Sequence, residues 1–155
     1  MIFRIYGRGE ALRFASSVPE PHLWISIFGT GDTAVELAPN PHRVETLYQK
    51  YDDITHNGQP FDARWNKAFQ LLLMSEAQAK EVVDLVEKHK DQVSMIVCQC
   101  EAGISRSAGT ALALSLWLNE GDNQGIGSKW CYVPNMHVKR LILGEVGERK
   151  RNKIS

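Results

Sequence analysis

The chain has 155 residues, 43% of them hydrophobic and 23% charged, with 18 Lys plus Arg against 18 Asp plus Glu. That length and balance describe one domain able to bury a real core, and they argue against a disordered chain. Zero formal net charge argues against nucleic-acid binding as the main activity. No apolar run approaches the roughly 18 residues of a membrane span, and Met1-Ile2-Phe3-Arg4 is too short an apolar stretch for a secretory signal.

In chain order, residues 2–6 form a short apolar run broken by Gly7-Arg8-Gly9. Residues 10–17 read as a short helix with Ala11, Leu12, Phe14 and Ala15 as its apolar residues, ended by Pro19 and Pro21. Residues 22–28 are rich in strand formers and close on Gly29-Thr30-Gly31. A weaker strand is predicted over 44–51, a polar loop over 52–64 and a helix over 65–73. Ser75 with Gln78 makes a capping box for a long helix, whose inward face carries Ala79, Val82, Val83, Leu85 and Val86. Residues 93–99 read as a buried strand, 107–118 as a mostly apolar buried helix and 121–127 as a loop. Asn135 is placed to cap a last helix reaching Leu143 or slightly beyond. Arg149, Lys150, Arg151 and Lys153 form a basic cluster, read as a disordered tail over 149–155 after a single domain over 1–148. Strands alternating with helices predict an α/β fold: a central, mostly parallel sheet of four to five strands flanked by helices. Ligands of such sheets bind beyond the C-terminal ends of the strands.

Three cysteines, Cys98, Cys100 and Cys131, do not make a disulfide framework and fit a reducing cytoplasm. The Cys98-Gln99-Cys100 spacing, with no second Cys or His pair after it, argues against zinc. HExxH, GxSxG and GxxxxGK signatures are absent. One segment does carry chemistry: Cys100-Glu101-Ala102-Gly103-Ile104-Ser105-Arg106-Ser107, set between the buried strand and the buried helix. A loop in that position aims backbone N–H groups of residues 101–106 at one point, on the positive end of the following helix. That makes an anion site, with phosphate as the natural guest. A thiol beside N–H donors, a helix N-terminus and a guanidinium is favoured as thiolate and is then a nucleophile. Arg106 can grip two phosphate oxygens with its planar fork. Gly103 permits close backbone approach, and Ser107 lies near enough to hydrogen-bond the Cys100 sulfur. Cys98, two residues earlier in the strand, reads as core filler, with a resolving thiol for Cys100 as the other reading.

This Cys-x5-Arg-Ser pattern, with Gly three residues after Cys, resembles the cysteine-dependent protein phosphatases, most closely the dual-specificity and compact bacterial and viral tyrosine phosphatase branch. A random-sequence match at those offsets from any of the cysteines has a chance of roughly one in a thousand. The resemblance implies a phosphatase-like fold and hydrolysis of phosphate monoesters through a cysteinyl-phosphate, with no metal or other cofactor. It also implies a phosphorylated protein or peptide as partner (phosphotyrosine, with phosphoserine and phosphothreonine as further substrates), and neither nucleic acid nor membrane. Catalytic roles fall on Cys100, Arg106 and Ser107, and phosphate binding on Glu101, Ala102, Gly103, Ile104, Ser105 and Arg106. Where the family usually has His before the nucleophile, this chain has Gln99, which donates and accepts but carries no charge.

The family's general acid is an Asp on a loop upstream of the nucleophile. Tyr51-Asp52-Asp53 resembles its apolar-x-Asp pattern and points to Asp53, with Asp52 and Asp62 as alternatives. Two other functions stay open. One is the same chemistry on a non-protein phosphate, an RNA 5′ phosphate or a phosphoinositide, although residues 101–105 contain no Lys and include Glu101. The other is a phosphate-binding module without turnover.

Overall fold

The computed structural model describes residues 1–54 and 72–154. Asp62 and most of the helix predicted over 65–73 lie outside the described residues. The described elements are β1 (Ile2–Tyr6), α1 (Arg8–Phe14), β2 (His22–Phe28), β3 (Arg43–Lys50), α2 (Glu76–His89), β4 (Met95–Gln99), α3 (Arg106–Leu118) and α4 (Met136–Ile154). The strands form one four-stranded sheet in the order β1-β4-β2-β3, with every neighbouring pair parallel. This is the predicted α/β class.

β4 lies inside the sheet, paired with β1 through Ile5↔Cys98 and with β2 through Ile25↔Cys98. Period-2 alternation sends its side chains to two different cores. Met95 and Val97 join Trp24, Ala11, Ala15, Val18 and Val35 on the α1 side. Ile96, Cys98 and Cys100 join Leu23, Ile25 and Ile27 on the side covered by α2, α3 and α4. Both faces are covered, which explains why β2 and β4 read as near-continuous apolar runs. α2 starts as its capping box predicts: Ser75 Oγ accepts from the Gln78 N–H at 3.1 Å, and Gln78 Oε1 accepts from the Ser75 N–H at 3.0 Å. Its residues Ala79, Val82, Val83, Leu85 and Val86 are buried, each large one contributing about 1.5–3 kcal/mol by leaving water.

Several boundaries differ from the sequence expectation, among them the start of β4 at Met95 rather than at residue 93. The first apolar run is an edge strand, and α1 begins at Arg8 because Glu10 Oε1 reaches back to the Gly7 N–H at 3.1 Å. β3 is shifted by one residue, to Arg43–Lys50. The last helix does not stop near Leu143: it runs to Ile154, so residues 149–154 are helical rather than a disordered tail. Ion pairs, two of them to α2, lie along the extension. Arg149 bonds Glu145 within the helix and Asp84 on α2, and Lys153 reaches Glu87 at 3.9 Å. Val146 adds a buried apolar contact on the same stretch. Among the described residues, no helix is long and apolar enough to cross a membrane.

Because all four strands run the same way, their C-terminal ends reach one edge. Gly7, Gly29, Tyr51 and Cys100 therefore leave the sheet on the same side, and that is where the chemistry-bearing loop lies.

Candidate active site

The site is built on the end of β4. Cys100 donates its N–H to Tyr6 O at 3.2 Å, which prolongs the β1–β4 pairing by one residue and fixes the point where the loop begins. Residues 101–105 then bend continuously before α3 starts at Arg106. The loop closes around the sulfur: the Gly103 N–H donates to Cys100 Sγ at 3.3 Å, and Ser107 Oγ lies 3.0 Å from it. Arg8 donates its N–H to Glu101 O at 2.9 Å, tying the first turn of α1 to the loop.

Gly103 is required twice over. Its φ is +71°, in the left-handed region, and an added Cβ would fall 2.5 Å from Gly7 N and 2.7 Å from Tyr6 C. Both obstacles are backbone, so neither can rotate away.

Cys100 is 2% exposed, at the base of the loop. Arg106 is buried as well, with Nη1 donating to Tyr51 O at 3.0 Å, while its Nε has no hydrogen-bond partner among the described residues. A guanidinium anchored at one nitrogen, with another buried donor unused, is a fitting partner for an oxyanion. Burial pushes the Tyr51 phenol well above its ordinary range, so it is a neutral wall at the site. Burial likewise pushes the Cys98 thiol up, with the neighbouring Cys100 as a lesser cause. Cys98 is 0% exposed in the apolar core, which fits core filler and disfavours a resolving thiol. Cys131 is exposed and remote from this role.

Gln99 points to the opposite face of β4. Its Oε1 accepts from Ser26 Oγ at 2.7 Å, and its Nε2 donates to Cys100 O at 3.2 Å. The buried amide thus braces the Cys100 carbonyl against β2.

The two described acid candidates are placed differently. Asp52 accepts from the Thr30 N–H at 2.7 Å and from Thr30 Oγ1 at 2.8 Å, so both its oxygens hold the turn that follows β2. Asp53 faces the Cys100 loop: its Oδ1 accepts from Ser105 Oγ at 2.7 Å and from Asn135 Nδ2 at 2.9 Å. Among the described residues its Oδ2 makes no hydrogen bond. The structure thus brings Cys100, Gly103, Ser105, Arg106, Ser107 and Asp53 together and diverts Asp52 to a turn. Glu101, Ala102 and Ile104 have exposed side chains on the loop, so any share they take in holding phosphate falls to their backbone. Two contacts had no signal in sequence: the Tyr51 carbonyl under Arg106, and the Asn135 amide on Asp53. Asn135 was legible only as a helix cap.

No family model matches the chain, and no curated protein matches it. Solved structures do. PTPMT1 is similar over 97% of this chain and 95% of its own, with 14% sequence identity and a TM-score of 0.53. Tk-PTP in its active form is similar over 95% of this chain and 90% of its own, with 16% identity and a TM-score of 0.49. The phosphatase-like fold expected from the Cys100-to-Arg106 pattern is the fold observed, and the likeness to PTPMT1 carries that conclusion.

Proposed function

We propose that this protein is a phosphate monoester hydrolase of the Cys-based kind, acting on phosphotyrosine, and on phosphoserine and phosphothreonine, in proteins. The observation that carries the reading is the closed loop around Cys100 Sγ, with the Gly103 N–H and Ser107 Oγ on the sulfur and buried Arg106 closing the ring. The loop N–H groups and the guanidinium hold the phosphoryl oxygens. Cys100 Sγ attacks phosphorus, forming an S–P bond as the bond to the leaving oxygen breaks. Asp53 gives that oxygen its proton. Water then attacks phosphorus, passing a proton back to Asp53, and the S–P bond breaks to release inorganic phosphate. The Ser107 hydroxyl donates to the departing thiolate. No metal or external reductant enters this balance.

The substrate class rests on charge. Residues 101–105 contribute no cation, and among the described residues Glu101 pairs with Arg8 at 3.7 Å. One guanidinium suits a single phosphate better than a multiply phosphorylated head group.

The test is hydrolysis of p-nitrophenyl phosphate by the intact chain and by Cys100→Ser. Turnover that disappears in Cys100→Ser is expected. Turnover surviving the substitution overturns the nucleophile, and absence of turnover in both proteins favours a phosphate-binding module. Release of phosphate from phosphotyrosyl and phosphoseryl peptides then separates the substrate classes.

A further inference from the structure

We propose that Asn135 is a positioning residue for the acid: its side-chain amide latches the Asp53 segment onto the Cys100 loop while its side-chain oxygen starts α4. This rests on the reading of Cys100 as nucleophile and Asp53 as acid. Asn135 is 1% exposed, and its side chain is used at both ends. Nδ2 donates to Asp53 Oδ1 at 2.9 Å and to Ile54 O at 3.3 Å. Oδ1 accepts from the His137 and Val138 N–H groups, each at 3.1 Å.

The backbone of Asn135 is held just as firmly. Its N–H donates to Ser105 O at 2.9 Å, and its carbonyl accepts from the Lys139 N–H at 3.1 Å. Gly109 on α3 leaves room for it: a Cβ there would lie 2.5 Å from Asn135 O. Asn135 is therefore fixed to the same loop and helix that carry Cys100 and Arg106, and it transmits that fixed position to Asp53. Ser105 Oγ meets the same carboxylate oxygen from the loop side. The two donors set the direction of the carboxyl and leave Oδ2 for the leaving group.

The residue type is diagnostic. Ser or Asp would cap α4 as well as Asn does. Only an amide offers an oxygen to the helix and, on the same group, a nitrogen to a carboxylate.

Asn135→Asp separates the two tasks, because it keeps the capping oxygen and replaces the donor with an oxygen facing Asp53. Rates are compared on p-nitrophenyl phosphate, whose phenol leaves readily, and on phenyl phosphate, whose phenol needs the proton. We expect kcat on phenyl phosphate to fall about tenfold or more, within the span of general acid catalysis. The fall on p-nitrophenyl phosphate is smaller and KM stays close to that of the unaltered protein, while Tm drops because a buried carboxyl oxygen now faces Asp53 and the Ile54 carbonyl. Adding Asn135→Asp to Asp53→Asn then changes kcat by less than about twofold, since the latch has nothing left to position.

An equal fall on both substrates, an additive loss in the double variant, or no fall at all overturns the proposal while leaving Cys100 catalysis intact. An Asp53→Asn variant with unchanged rates on phenyl phosphate overturns it too. Turnover that persists in Cys100→Ser, or is missing from the unaltered protein, overturns the phosphatase reading itself. If Asn135→Asp does not fold, Asn135→Ser keeps a capping oxygen without the reach to Asp53 and carries the same comparison.

Discussion

Two segments meet at Cys100, and they are held in different ways. The loop over 100–106 encloses the sulfur with its own residues, although its backbone is also tied to Tyr6 and Arg8. It runs from the interior strand β4 straight into buried α3, and its sulfur is enclosed by partners three and seven residues along the chain. The segment over 51–54 is a borrowed object. Tyr51 is anchored by its backbone to Phe28 O, but Asp53 takes its place from Ser105 and Asn135, 52 and 82 residues away. An enclosure made by neighbours along the chain survives loss of a distant partner. A borrowed one can lose its position while the fold stands, so substitutions at the acid segment should separate rate from stability more cleanly than substitutions in the loop.

The largest effect that tests this contrast is at Asp53, the proposed acid. Asp53→Asn should lower kcat on a phosphotyrosyl peptide by about 10²–10⁴-fold, the usual worth of general acid catalysis. Its Tm should move little, because Asp53 is an exposed carboxylate. Asp52→Asn should do the reverse: a modest loss of stability through the Thr30 turn and a small change in kcat. Steady-state kinetics and thermal unfolding of the two variants check both halves. A large rate loss in Asp52→Asn with normal turnover in Asp53→Asn would move the acid to Asp52.

In the loop, rate and stability should fall together. Gly103→Ala places a methyl group against the Gly7 and Tyr6 backbone and forces an L-residue into a left-handed conformation, which costs roughly 1–2 kcal/mol before any clash. The loop must shift to relieve the contact, and a misplacement of about 1 Å can lower a rate by about 10²-fold. We expect a kcat loss of that order together with a clear drop in Tm. A variant as stable as the parent and fully active would show that the loop tolerates the displacement.

The same contrast explains what could be read before folding. Contiguous features were legible: the apolar runs of β2 and β4, the Ser75–Gln78 capping box, and the Cys100-to-Arg106 spacing each occupy one stretch of chain. Their physics is local, so sequence order preserves it. The edge strand β1 was harder, since five residues ending at Gly7 carry little signal without β4 beside them. The end of α4 was misplaced because its last turns pair with Asp84 and Glu87, which belong to another helix. Asp53 was chosen through a family pattern, and nothing in its neighbourhood distinguished it from Asp52. What distinguishes them is a pair of donors from Ser105 and Asn135, which no reading of residues 51–54 contains.

The smallest expected effect sits between the two objects, at Gln99. This residue belongs to the local loop by sequence, yet its amide works across the sheet, accepting from Ser26 and donating to the Cys100 carbonyl. Gln99→Leu keeps much of the volume and removes these bonds and the longer one from Trp24 Nε1 at 3.5 Å, leaving the Ser26 hydroxyl and the Cys100 carbonyl buried without that partner. Leaving such a group unsatisfied costs about 1–3 kcal/mol, and for a chain of this size each kcal/mol lowers Tm by about 2–4 °C. The sulfur itself keeps its Gly103 and Ser107 contacts, which lie on the other face of β4, so kcat on p-nitrophenyl phosphate should fall by less than about tenfold. Thermal unfolding and steady-state kinetics on one preparation give both numbers. A Tm unchanged within error together with a rate loss of about 10²-fold or more would reverse the assignment. Gln99 would then act on the reacting sulfur rather than on the scaffold beneath it, and the loop would be less self-contained than its short-range contacts imply.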